Sequence, residues 1–185
     1  EDYRAMLDRE QPDLAVVNPW YCQNAEVAAE CLKRGMDVFC EKPLATTLDD
    51  LEMLEKAWRE SGRALAGMFN LRGAPWFLAI RRAIEAGEIG RVLTFATAFR
   101  HGGPETWSVD PGRSTWFFDR RRAAMGALAD LGVHKIDLIQ YLTGQTIVEV
   151  TARLCTLEKT FSDGSPITVD DNAFCIFRMS GGVMG

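Results

Sequence analysis

Apolar and polar positions change their spacing several times along the chain, and each change predicts an element. Asp2–Glu10 carries a helix-like pattern. After Pro12-Asp13, the unbroken run Leu14-Ala15-Val16-Val17 reads as a buried strand. It stops at Asn18-Pro19, because proline pushes the residue before it out of helical geometry. Helical spacing returns at Val27, Ala28, Cys31 and Leu32, which predicts a helix over Ala25–Arg34 with Asn24 as its cap and Gly35 as its stop. Asp37–Cys40 is a second short strand. Leu51, Leu54, Ala57 and Trp58 then mark the buried side of a helix over Leu48–Ser61, begun by Thr46 or Thr47 and ended by Gly62. Ala64–Met68 makes a third strand.

From Pro12 to Met68 the order is therefore β-α-β-α-β with short connections. That alternation implies a parallel sheet, since right-handed crossovers lay the helices on its faces. Ligands of such sheets bind beyond the C-terminal strand ends. Asn18-Pro19, Glu41-Lys42-Pro43 and the Asn70/Arg72 pair follow the three strands and are expected to face one crevice.

The second half has a different pattern. A helix is predicted over Pro75–Ala86, closed by Gly87, and a strand over Val92–Phe99. A domain boundary at Gly87–Gly90 divides the chain into residues 1–88 and 89–185. The loop Arg100–Ser114 is long enough to suggest a functional role and holds His101, Trp107 and Arg113. Gly126–Gly144 reads as one helix. At about 100° per residue, Asp130, His134, Asp137 and Tyr141 share a narrow stripe on it, beside Leu128, Leu131, Leu138, Ile139 and Leu142. Gly132 interrupts that helix at a cost of about 1 kcal/mol relative to alanine, and is expected to let a ligand approach closely. Strands are predicted at Ile147–Leu157 and Asn172–Met179, with Ser180–Gly185 as the turn of a hairpin. The fold class is α/β: a partial Rossmann-type parallel sheet, then an α/β domain with an open, mainly antiparallel sheet.

Composition narrows the function. A hydrophobic fraction of 47% and a charged fraction of 25% are those of an ordinary globular chain. The net charge of −5 offers no electrostatic footprint for nucleic acid. No apolar run reaches membrane-spanning length and no signal-peptide pattern opens the chain, so a cytoplasmic location is expected. The five cysteines contain no C-x-x-C pair and are expected as free thiols; with two histidines there is no zinc spacing, and no metal is expected.

Three stretches in order, D-L-A-V-V-N-P, V-F-C-E-K-P-L-A and G-A-L-A-D-L-G-V-H-K-I-D, resemble the Gfo/Idh/MocA family of oxidoreductases. The resemblance extends to A-G-M-F-N-L-R-G-A-P and G-E-I-G-R-V, and so covers essentially the whole chain. It implies a Rossmann domain holding NAD or NADP and a second α/β domain, with a sugar or polyol substrate against the nicotinamide. Carried over by motif, Lys42 touches the reacting hydroxyl, and Asp130 and His134 handle its proton. Asn18, Pro19, Glu41 and Lys42 line the cofactor side; Arg72, Arg113 and Trp116 are candidates for substrate contact, and Asn70 for cofactor or substrate. The family also implies a homo-oligomer, dimer or tetramer.

The residue types suit that chemistry. A histidine, with an ordinary pKa near 6.5, serves as a base near neutral pH; an aspartate fixes its tautomer, and a lysine favours a developing alkoxide. Two alternatives share the fold: an NAD-dependent glycosidase, and a non-catalytic sugar- or dinucleotide-binding protein. The glycine-rich G-x-G-x-x-G phosphate loop is not in the sequence, nor is the residue that would select NAD or NADP. The chain is therefore expected to be a fragment lacking the phosphate-loop part, cut short at its C-terminus too, and inactive by itself.

Overall fold

The computed structural model describes residues 2–185. Contacts gather them into two compact units: residues up to Met68 with Arg121–Ala124, and Phe69–Arg120 with Met125–Gly185. This division lies upstream of the Gly87–Gly90 boundary expected from the sequence, because the intervening helix packs within the second unit.

In the first unit, helix α1 (Tyr3–Glu10) leads into strand β1 (Leu14–Val17), helix α2 (Asn24–Lys33), strand β2 (Asp37–Cys40), helix α3 (Leu48–Ser61) and strand β3 (Leu65–Gly67). The strands are parallel in the order β1-β2-β3, with Leu14 opposite Asp37 and Val38 opposite Leu65. Leu7, Val17, Ala28, Leu32, Val38, Cys40, Leu54 and Ala57 form the core. Small residues on α2 (Ala25, Ala28, Ala29) let it lie close to both β2 and α3. Thr47 caps α3 by accepting the Asp50 N–H at 3.1 Å.

Two expectations fail here. Leu51 and Trp58 are exposed, because α3 turns Leu54 and Ala57 to the core and its apolar arc is wider than the surface that covers it. Asn24 is not a cap but the first residue inside α2, preceded by a short 3-10 turn at Tyr21–Gln23. On the sheet, Leu14, Val16 and Phe39 are exposed, so one face is apolar and open.

The second unit holds helix α4 (Pro75–Glu85), a π-helical turn at Leu128–Gly132, and helix α6 (Val133–Thr143), whereas the short helix α5 (Arg120–Ala123) belongs to the first unit from Arg121 onward. Strands β4 (Ile147–Cys155) and β5 (Asn172–Met179) pair antiparallel, with Thr151 opposite Ile176. Ile139 of α6 packs on Met179 and Val183, with Val92, Phe95, Ile147 and Phe177 around them. The chain turns after Met179, and Gly185 pairs back onto Phe177.

The helix predicted as one piece is thus a π turn running into an α-helix. Its C-terminus closes as expected, on Gly144 at φ 67°. The strand predicted at Val92–Phe99 is reduced to one parallel bridge, Thr94 to Met184, because its partner is the short return of the chain beyond the hairpin turn.

Candidate active site

The candidate residues of the first unit stand at the end of β2. Glu41 N–H donates to Val17 C=O at 2.8 Å and Met68 N–H to Cys40 C=O at 2.9 Å, so the strand end is held from both sides. Lys42 and Pro43 follow across a cis peptide bond. Asn24, fully buried, donates its side-chain amide to Glu41 C=O at 3.1 Å and to Pro43 C=O at 2.8 Å. Glu41 Oε2 accepts the Lys42 N–H at 2.8 Å. The turn is thereby fixed by its own backbone contacts.

What it presents is a cation. Lys42 is only 7% exposed; its Nζ donates to the Tyr21 hydroxyl at 3.2 Å and lies 5.4 Å from the centre of that ring. Taking an ammonium out of water is costly, so a structure that keeps one at a strand end has fixed a positive donor in place. Asn18 is exposed at the end of β1 and Pro19 is half-buried. Burial, with the nearby Glu41 carboxylate adding to it, pushes the Cys40 thiol up to about 12, so it is packing rather than a nucleophile.

The second unit carries the carboxylate and the imidazole. Asp130 lies in the π turn and is buried; His134 follows one turn later at the start of α6. Single π turns recur at functional positions in helices. The start of this turn is held by Asp170, whose two carboxylate oxygens accept Gly126 N–H and Leu128 N–H, each at 2.8 Å, while its carbonyl accepts Ala127 N–H at 2.9 Å. An acidic side chain at a helix N-terminus satisfies donors that have no partner within the helix. Gly126 is obligatory: a Cβ there would lie 1.8 Å from the Asp170 carbonyl oxygen.

Gly132 has another explanation. The nearest atom to a Cβ built there is Leu128 Cδ1, at 2.7 Å, so the space is taken by the helix's own leucine rather than left for a ligand.

His101, a residue of the long loop, comes to the same place. Its Nε2 is 3.5 Å from Asp130 Oδ2, and Phe99 lies 6.3 Å from the His101 ring and 5.9 Å from the His134 ring. A cavity of about 80 Å³ opens beside Asp130. Its apolar lining comes from Phe117, Phe118, Leu131, Ile167 and Val169; its polar lining includes His101, Asp130, Lys159 and Asp170.

The remaining candidates are placed as follows. Arg72 forms a two-pronged ion pair with Asp137, its Nε 2.8 Å from Oδ2, and stacks at 5.1 Å over Tyr141; this gives the stripe residue Asp137 a structural partner. Asn70 is exposed in a short 3-10 turn. Arg113 is exposed on the loop. Trp116 is buried, stacked at 3.9 Å on Phe117, with its backbone N–H donated to Asp110 Oδ2 at 2.8 Å. Asn24, Asp170 and His101 are the residues that sequence reasoning missed or misassigned. Asn24 left a trace as a polar residue at a helix start and His101 as a residue of the long loop, while Asp170 left none.

Each unit by itself offers groups suited to acid–base work: the first a fixed cationic donor, the second a carboxylate and an imidazole one helical turn apart. Among the described residues no group of His, Cys, Asp and Glu is arranged to hold a metal, and no helix is long and apolar enough to cross a membrane.

Comparison with known proteins gives the same picture in both halves. A family model described as "Oxidoreductase family, NAD-binding Rossmann fold" matches residues 1–68. Another, "GFO/IDH/MocA C-terminal domain", matches residues 77–185. Levoglucosan dehydrogenase of Pseudarthrobacter phenanthrenivorans is 30% identical over 205 residues, covering 100% of this chain and 50% of that protein. Inositol 2-dehydrogenase 2 of Saccharopolyspora erythraea is 32% identical over 148 residues, covering 80% of this chain and 40% of its own. A solved levoglucosan dehydrogenase, in complex with NADH and levoglucosan, superposes with a TM-score of 0.84 at 26% identity, over 100% of this chain and 49% of that one. The chain thus spans about half the length of the relatives it matches. Matched in both of its halves, it belongs to the GFO/IDH/MocA family of oxidoreductases, whose N-terminal domain is an NAD-binding Rossmann fold.

Proposed function

We propose that the protein carrying this chain is an NAD(P)-dependent dehydrogenase acting on a secondary hydroxyl of a sugar or polyol. The observation that carries this reading is the buried Lys42 ammonium, fixed at the C-terminal end of a parallel strand. Relatives named for levoglucosan and inositol support the substrate class.

The residues present fit one end of a dinucleotide. Asn18 and Glu41 end adjacent parallel strands in register, Val17 opposite Cys40, at the rim where such sheets take their ligands. They would lie against the nicotinamide. No glycine-rich loop for the pyrophosphate is among the 185 residues. When bound, the cofactor supplies the acceptor or donor of hydride. Lys42 donates to the substrate oxygen and favours its anionic form, His134 takes or returns the hydroxyl proton, and Asp130 orients and stabilises the imidazolium. The protein is expected to work as a homo-oligomer.

The test is formation of reduced nicotinamide by the intact protein with NAD and with NADP, over a panel of sugars and polyols. Lys42→Met and His134→Gln should each lower kcat/KM by about 10²–10⁴-fold with dinucleotide affinity nearly unchanged. Binding of both ligands with no turnover would replace the proposal by a sensor. Release of aryl groups from aryl glycosides, dependent on NAD but without net reduction, would replace it by a glycosidase.

A further inference from the structure

The imidazole of His101 is held from several directions although it belongs to a loop. Its Nδ1 accepts the Gly103 N–H at 2.9 Å. Its ring meets Trp107 edge-on at 5.7 Å and Phe99 edge-on at 6.3 Å. The next residue is tied down as well, since Gly102 C=O accepts Lys159 Nζ at 2.7 Å, and the same ammonium pairs with Glu105. Fixing a long surface loop this thoroughly costs conformational entropy, which an idle residue gives no reason to spend.

The hydrogen-bond pattern also fixes the tautomer. A ring nitrogen that accepts a backbone N–H carries no proton of its own, so the neutral ring bears its proton on Nε2. That nitrogen lies 3.5 Å from Asp130 Oδ2, within ion-pair distance, at the edge of the cavity. Lys159, the cation beside that cavity, already serves Glu105 and Gly102, so the polar group turned to Asp130 from this loop is the imidazole N–H.

We propose that His101 is a positioning residue for Asp130. Its Nε2–H holds one carboxylate oxygen electrostatically and fixes the orientation in which Asp130 meets the proton-handling partner on the helix. This rests on the reading of Asp130 and His134 given above. The loop is thereby coupled to the reaction without touching the reacting atoms.

Two measurements test it. The first needs no turnover: nitrogen-15 NMR of the histidine side chains in the 185-residue chain should show His101 with its proton on Nε2. In Asp130→Ala, exchange of that proton with water should accelerate about tenfold, as expected for loss of a charged acceptor. An Nδ1–H tautomer, or exchange unchanged by Asp130→Ala, overturns the proposal. The second uses the intact protein. His101→Phe keeps the ring packing but removes the donor, and should lower kcat by up to about 100-fold with KM little changed. His101→Gln, which returns an N–H at the Nε2 position, should recover most of the loss. Full kcat in the Phe variant, or equal loss in both, overturns the positioning role. If the wild-type protein turns over no sugar or polyol, the dehydrogenase reading fails, while the NMR result still decides whether His101 and Asp130 act as a pair.

Discussion

The Lys42 turn and the Asp130 turn do similar work by opposite means. Each brings a charged side chain out of a buried stretch of backbone. The Lys42 turn is locked by residues near it in sequence: Asn24 spans 17 and 19 residues to its carbonyls, and Tyr21 spans 21 to the ammonium. The Asp130 turn is held by distant ones, Asp170 from 44 and 42 residues downstream and His101 from the loop before it. Neighbouring strands of a parallel sheet already bring the ends of β1 and β2 together, so short-range clamps suffice there. A helix that starts in the open has no such frame, and its first N–H groups must be met by a side chain from elsewhere.

If that contrast is right, the largest effect on stability should come from the distant clamp. Asp170→Ala leaves the half-buried Gly126 and Leu128 N–H groups without their acceptor, and should destabilise the second unit by about 3–4 kcal/mol. Urea unfolding followed by fluorescence of Trp107 and Trp116 would measure it. A loss under about 1 kcal/mol would mean that water replaces the carboxylate and that the clamp is not needed.

Next in size is Asn24. Its two N–H donors serve Glu41 and Pro43, and its Oδ1 has no donor among the described residues. Asn24→Ala should therefore cost about 2–3 kcal/mol. Asn24→Asp should cost more, because it replaces the donors by a charge facing two carbonyl oxygens. Denaturation curves of the two variants give the order. An aspartate equal to the alanine would show that the amide does not hold the turn.

These positions also mark how far the sequence could be read. Leu14–Val17, Asp37–Cys40 and the helices around them follow from spacing alone, because their burial repeats at the element's own period. The E-K-P turn is legible for the same reason: it sits at a strand end, which the alternation locates. Asn24 is misread because a polar residue before an apolar helix has one local appearance and two uses. The choice is made by a strand more than ten residues later. The π turn leaves no mark in the pattern, and Asp170 and His101 lie in irregular connections where no period exists to interpret. The turn at the strand end is legible, but the side chains that clamp the two turns are not.

Asp171 extends the contrast to pH. Burial would raise its carboxyl above the usual 3.8, but N–H donation from Lys159, Glu158 and Leu157 and from the Asn172 amide outweighs it, leaving the group at about 2. A carboxyl depressed by folding stabilises the native state above its unfolded value and loses that contribution as pH falls through the folded one. Thermal stability should therefore drop between about pH 4 and pH 2, and Asp171→Asn should flatten that part of the curve. The expected change is moderate, since the group is partly exposed and the asparagine keeps one acceptor. An unchanged acid slope in the variant would show that the N–H groups of Leu157, Glu158 and Lys159 do not hold the Asp171 carboxylate in the native state.

The smallest effect is expected at Gly132, and it bears most directly on the site. Spacing alone makes this glycine a gap for a ligand; the structure fills it with Leu128 Cδ1, the end of a rotatable side chain. A methyl group there would lie 2.7 Å from a leucine tip, which must swing away by about 1 Å to regain ordinary contact, while alanine gains about 1 kcal/mol of helix propensity over glycine. The two nearly cancel, so Gly132→Ala should move Tm by no more than about 3 °C in either direction. KM for the sugar should stay unchanged, whereas a gap used for ligand approach would raise it with stability intact. Gly126→Ala, six positions earlier on the same run, is the control: its methyl meets a backbone oxygen that cannot rotate away. One glycine accommodates a neighbour's side chain and the other a distant segment's backbone, and only the second should be intolerant of change.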